Sequence, residues 1–102
     1  MALVSQNVSM IKSFSSKETE IIWEGNRSTK LPWEIQEISR RKLRMLNNSR
    51  DLKDLTIPPS NGLEKLSGAY KEYYSIRINN QWRIIFKWSR GNSHNVKIID
   101  YH

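Results

Sequence analysis

Two arginines and a run of acid, phenol and imidazole are the residues of this chain best suited to chemistry: Arg77, Arg83, Asp100, Tyr101 and His102. Guanidinium groups grip oxyanions through paired N–H donors, while carboxylate, phenol and imidazole hold or move protons. All five lie in one stretch, "YYSIRINNQWRIIFKWSRGNSHNVKIIDYH", from Tyr73 to His102. Whether they meet depends on how that stretch folds.

Tyr74, Ile76 and Ile78 alternate with Ser75, Arg77 and Asn79, and Trp82, Ile84, Phe86 and Trp88 alternate with Arg83, Ile85 and Lys87. A period of two marks half-buried β-strands. A three-residue hairpin loop over Asn79-Asn80-Gln81, with an Asn in the left-handed conformation, sets Ile78 opposite Trp82 and Ile76 opposite Ile84. The same register puts Arg77 opposite Arg83. Like charges in direct register repel unless an anion or solvent screens them, so the pair is a candidate anion site. Past the turn signal "SRGNS", matching Trp88 to Val96 and Phe86 to Ile98 predicts Tyr101 beside Arg83, with Asp100 and His102 at the edge of that face. Charged strand residues also occur on plainly solvated sheet faces, and alternation by itself leaves both meanings open.

The upstream elements must support this sheet. "MIKSF", from Met10 to Phe14, has the β-branched and aromatic content of an edge strand. A short helix is predicted from a cap at Ser15 or Ser16 to Gly25, and a longer one over about Pro32 to Asn47. In the longer helix Leu31, Ile35, Ile38, Leu43, Met45 and Leu46 share one arc, which must pack on the sheet. Its run "SRRKLR", containing Arg40 and Arg44, reads as an RNA-contacting ridge or, as basic helix faces more often are, as a solvated surface. "RDLKDLTIPPSNGLEKLSG" is too apolar for a plain linker; a helical turn and a rigid Pro58-Pro59 loop lead Leu63 to Leu66 towards the sheet. Glu64 and Lys65 lie in that approach, as a site contribution or a surface ion pair. The order β-α-α-β-β-β is an α+β domain with two helices packed on an antiparallel sheet. It spans residues 10–102; residues 1–9 read as a disordered extension or as sequence upstream of a start at Met10.

Composition narrows the partners. A chain of 102 residues is one domain, and 17 Lys and Arg against 10 Asp and Glu give a formal charge of +7, which suits an acidic partner. Four Trp, four Tyr and two Phe among those cations favour nucleic acid over bare phosphate, because rings stack on unpaired bases. Trp82, Phe86 and Trp88 are instead assigned to the core. With no Cys and only two His there is no disulfide framework, no thiolate chemistry and a poor set of metal ligands. No apolar run is long enough for a membrane span, and no phosphate-binding loop or dinucleotide fingerprint occurs. A soluble, intracellular protein is expected.

"MIKSF" opening the domain, "L-x-x-L-S-G" running into "YYSIRINNQWRIIFKW", and "IIDYH" together resemble the HigB group of the RelE-like toxin superfamily, the toxins of bacterial type II toxin–antitoxin modules also described as plasmid-maintenance killer proteins. The likeness covers Met10 to His102. It implies a compact RelE-like fold and a cytoplasmic mRNA endonuclease that cuts translated message in the ribosomal A site, with mRNA and ribosomal RNA as binding partners and with neither metal nor cofactor. A HigA-like helix-turn-helix antitoxin is the implied neutralising partner. Catalysis falls by resemblance on Asp100, Tyr101 and His102, and the scissile phosphate on Arg77 and Arg83. Glu64 stands where some relatives carry a His; a carboxylate can act as base but brings no cation. Lys65, Arg40 and Arg44 are further candidate RNA contacts. Imidazole titrates near neutrality and phenol at about pH 10, which makes His102 the readier proton carrier of the two. A non-catalytic RNA- or ribosome-binding module would use the same basic, aromatic surface but tolerate loss of "DYH", and an interaction protein with an acidic partner would behave independently of RNA.

Overall fold

Helix α1, Lys17–Trp23, starts where Ser16 accepts a hydrogen bond from the Thr19 N–H and ends before Gly25, whose φ of +90° suits only glycine well. In the computed structural model, which describes residues 10–101, α2 follows over Trp33–Asn48. It buries Ile35, Leu43 and Leu46, so the predicted arc does face the sheet. Three strands and one very short one complete the α+β fold: β1 (Glu64–Lys65), β2 (Tyr74–Arg77), β3 (Trp82–Ser89) and β4 (Asn92–Asp100). They form one antiparallel sheet in the order β1-β2-β3-β4. Ile76, Ile84, Phe86, Val96 and Ile98 meet the helices in a single core. Phe86 is fully buried, while Trp82 and Trp88 pack half-buried at its margins. Residues 1–9, read from sequence as an extension, lie outside the described residues, as does His102.

The β2–β3 register is the predicted one: Ile76 faces Ile84 and Arg77 faces Arg83. Its loop is built differently. Neither Asn79 nor Asn80 has a positive φ; instead the Asn79 side-chain oxygen accepts the N–H groups of Gln81 and Trp82, each at 2.8 Å. An Asn side chain can mimic a backbone turn in this way without the left-handed conformation. The β3–β4 hairpin turns on Arg90 and Gly91, both at positive φ as a mirror-image two-residue turn requires.

In β4 the pairing departs from the predicted one. Ile98 lies opposite Ile84 and Ile99 opposite Arg83, two residues from the alignment of Phe86 with Ile98. Between Ile85↔Lys97 and Lys87↔His94 the β4 strand carries one extra residue, a bulge in which Asn95 has a φ of +54°. Apolar matching cannot choose between registers two residues apart, because both bury the same face. Tyr101 therefore stays on the Arg83 side, as a diagonal neighbour.

The bulge also explains "MIKSF". Ile11 and Phe14 bridge to Ser93 and Val96 in parallel, but the bridges stay isolated rather than forming a continuous strand. Between them the Asn95 N–H is taken by the Ser13 hydroxyl at 2.9 Å. Further along β4, the outward Ile98 N–H donates to Thr19 Oγ1 on α1 at 2.9 Å, and Thr19 is fully buried. Removing that acceptor strands a buried donor. Thr19→Val, which keeps the shape, should destabilise the fold by about 1–3 kcal/mol. A lower urea midpoint at unchanged slope is the expected measurement, and an unchanged midpoint would show that water replaces the hydroxyl.

Candidate functional site

The site lies on the pleat turned away from the helices. Because Ile76 and Ile84 face the core, Ser75, Arg77 and Arg83 face the other way, and β1 adds Glu64 opposite Ser75. Ile78 and Trp82 exchange the adjoining ladder bond, at 2.9 Å from the Ile78 N–H, so Arg77 and Arg83 form a non-hydrogen-bonded pair, the type in which side chains stand closest. They differ sharply in burial: Arg77 is exposed, whereas Arg83 retains 8% of its surface.

A buried guanidinium demands partners, and Arg83 finds them through one nitrogen. Its Nη1 donates to Ser75 Oγ at 2.8 Å and the Gly62 carbonyl at 3.2 Å, and pairs with Glu64 Oε1 at 3.2 Å. The Tyr101 ring covers the group with its centroid 4.8 Å from Cζ. Among the described residues Nη2 and Nε have no hydrogen-bond partner, yet neither is a sealed-off polar atom; both reach solvent. One prong of the fork is anchored and the other two donors are open.

The loop before β1 supplies the Gly62 carbonyl. Pro59–Asn61 makes a single 3₁₀ turn that closes on Gly62 at a φ of +54°. Asn61 is fully buried and donates to the Leu55 carbonyl at 3.0 Å, while its oxygen accepts the Lys42 ammonium from α2. Burial, and secondarily the charge of Arg41, holds the Lys42 pKa below the usual lysine value. The loop is thus pinned beneath α2 and its end is aimed at Arg83.

A family model described as the RelE-like toxin of type II toxin–antitoxin system HigB matches residues 12–102. The chain belongs to the HigB-like toxin family. It is similar to Toxin HigB-1 of Vibrio cholerae serotype O1, 38% identical over 94 residues that cover 91% of this chain and 98% of that protein. It is also similar to Endoribonuclease HigB of Proteus vulgaris, 26% identical over 93 residues that cover 91% of this chain and 100% of the relative. An uncharacterized protein of Haemophilus influenzae is 36% identical over 78 residues, 76% of each chain. Membership in this family implies an antitoxin as partner. No helix among the described residues is long and apolar enough to cross a membrane.

In this HigB-like toxin the sheet brings Arg77, Arg83, Tyr101 and Glu64 together. The other candidates stand elsewhere. Asp100 pairs with Trp82 on the opposite pleat, where its carboxylate accepts from Gln81 Nε2 at 3.0 Å. The Tyr101 N–H donates to the Gln81 carbonyl at 2.6 Å, so Gln81 grips both residues. Lys65 also takes the opposite pleat, its Nζ 5.5 Å from the Tyr74 ring centroid. Arg40 clasps the end of α1, donating to the carbonyls of Ile22 at 2.9 Å and Asn26 at 3.1 Å, and Arg44 is exposed on α2. Glu64 pairs with Arg83 rather than with Lys65. Ser75 and Gly62 had not been singled out from sequence. Ser75 shares the parity of Arg77 and was legible in principle; the Gly62 carbonyl was not.

Gly62 is a test of this loop. A Cβ there would sit 3.7 Å from Arg83 Nη2, ordinary contact, so the conformational term dominates. Gly62→Ala should lose about 1–2 kcal/mol and Gly62→Asn less, since Asn tolerates the left-handed region. Equal urea midpoints for the two variants would show that backbone conformation is not what glycine supplies here.

Proposed function

We propose that this HigB-like toxin is an endoribonuclease that cuts mRNA in the ribosomal A site without a metal, in the bacterial cytoplasm, and that a HigA-like helix-turn-helix antitoxin neutralises it. The observation that carries the proposal is the guanidinium of Arg83, anchored through Nη1 while Nη2 and Nε stay open beside Arg77 and Tyr101. The name of the Proteus vulgaris relative supports a ribonuclease role.

The chemistry uses the RNA's own 2′-OH. Its oxygen attacks the adjacent phosphorus, the bond to the leaving 5′-oxygen breaks, and a 2′,3′-cyclic phosphate remains on the upstream fragment. A base takes the 2′-OH proton, an acid protonates the 5′-oxygen, and cations offset the charge on the phosphorane. Arg83 grips two non-bridging oxygens through Nη2 and Nε, with Arg77 as the second cation. Ser75 and Gly62 hold the fork still, so little reorganisation is needed as charge develops. Tyr101 and His102 handle the protons. Asp100 acts as a positioning residue through Gln81, and Glu64 either serves as base or tempers the charge of Arg83.

Induced expression in a bacterium, with message 5′ ends mapped under translation and with translation blocked, tests this directly. Growth arrest with new, translation-dependent ends is expected from the intact chain. Deleting His102 should abolish the ends, and Arg83→Gln should reduce cleavage by about 100-fold or more. Arrest without new ends would favour a non-catalytic ribosome-binding module instead.

A further inference from the structure

The pleat that carries Arg83 continues into a second basic and aromatic row. Alternation along β3 puts Ile85 and Lys87 on the same side as Arg83, and β4 adds Lys97 opposite Ile85 and His94 opposite Lys87. The Lys87 ammonium lies 5.4 Å from the centroid of the Tyr73 ring, which in turn meets Tyr70 edge-on at 5.6 Å. Tyr73 is held in register by its carbonyl, which accepts the Leu66 N–H at 2.9 Å. This row stands four strand residues from Arg83, roughly 13 Å along the sheet. Its members are accessible: Tyr70 is 40% exposed and the Lys87 side chain 39% exposed.

Charge and chemistry select the occupant. On this pleat and its rim Arg77, Arg83, Lys87 and Lys97 outnumber Glu64 and Glu72, and the two rows are continuous through Lys97. A polyanion bound at Arg83 runs onto Lys87 without leaving the sheet. The interleaved phenols add faces on which unpaired bases stack, which a protein partner or a lone phosphate does not need. Among the described residues the carboxylate paired with Lys87 is Glu72, 3.3 Å from Nζ and 68% exposed, an ion pair too solvated to hold the lysine against a phosphate.

We propose that Tyr70, Tyr73, Lys87 and His94 form a second contact row for the single-stranded RNA being cut, with Lys87 on a flanking phosphate and Tyr70 stacking a flanking base. The row deepens the endoribonuclease reading and rests on it. Glu72 places a negative charge beside the row and so weakens its pull on a polyanion.

The test is binding of a fluorescent single-stranded oligoribonucleotide to the full chain across a salt series, beside end mapping in cells. Lys87→Ala should weaken binding near 50 mM salt by about fivefold to tenfold and flatten the salt slope by about 0.7, the contribution of one released counterion. Tyr70→Ala should weaken it by about fivefold or more through lost stacking. Glu72→Gln should tighten it by about twofold to fivefold, a sign that a merely structural ion pair does not predict, while Lys30→Ala controls for net charge. Message cleavage should fall with Lys87→Ala and Tyr70→Ala. Binding and cleavage equal to the intact chain in Lys87→Ala, Tyr70→Ala and Glu72→Gln would overturn the row, and so would lost oligonucleotide binding with cleavage unchanged, which would assign these residues to another RNA. Failure of the endoribonuclease reading has a separate signature: no new message ends from the intact chain.

Discussion

Burying the charge of Arg83 is the constraint on which the rest of this structure depends. Desolvating an ion costs several kcal/mol unless fixed partners replace its water. Each of its partners comes from a different part of the chain: Ser75 from β2, Glu64 from β1, Gly62 from the loop and Tyr101 from beyond β4. None of those elements can shift without uncovering the guanidinium. Asn61 extends the dependence to α2, since its fully buried amide ties the Gly62 turn to Lys42 on one side and the Leu55 carbonyl on the other.

A sheet with helices on only one face gives such a charge its place. Ile76, Ile84, Phe86 and Ile98 are consumed by the core, and every second residue is thereby turned to the other pleat. A domain of this size has one main core to build, and apart from Ile85 and Ile99 the second pleat carries mostly polar side chains. Cations gather there across three strands, with Arg77 against Arg83 and Lys97 and Lys87 further along.

Asp100 and Tyr101 take different sides of the same geometry. Consecutive residues of an extended segment point to opposite pleats, so the two side chains part company. Gln81 reconciles them, its side chain on Asp100 and its carbonyl on the Tyr101 N–H, and so couples the end of β4 to the hairpin before β3.

The α+β class, the two helices, the caps of α1, the apolar arc of α2 and the Arg77–Arg83 pair were all legible in the residues, because helical and strand periodicities and the Ser16 and Gly25 signals are local. The likeness of "SIRINNQWRIIF" and "DYH" to the HigB group was local too, and the family match agrees with it. Other features depend on contacts between distant segments. The β4 register slipped by two residues because apolar matching is blind to even shifts, and the bulge at Asn95 reduced the N-terminal strand to two bridges. Arg40 turned inward to the carbonyls of α1, and Glu64 passed over its neighbour Lys65 for Arg83. Sequence by itself determined which residues alternate and hence which pleat each strand residue joins; only the tertiary structure decided which guanidinium is buried and what holds it, because those partners are far apart in the chain and meet only when the loop, β1 and the β4 end have closed around Arg83.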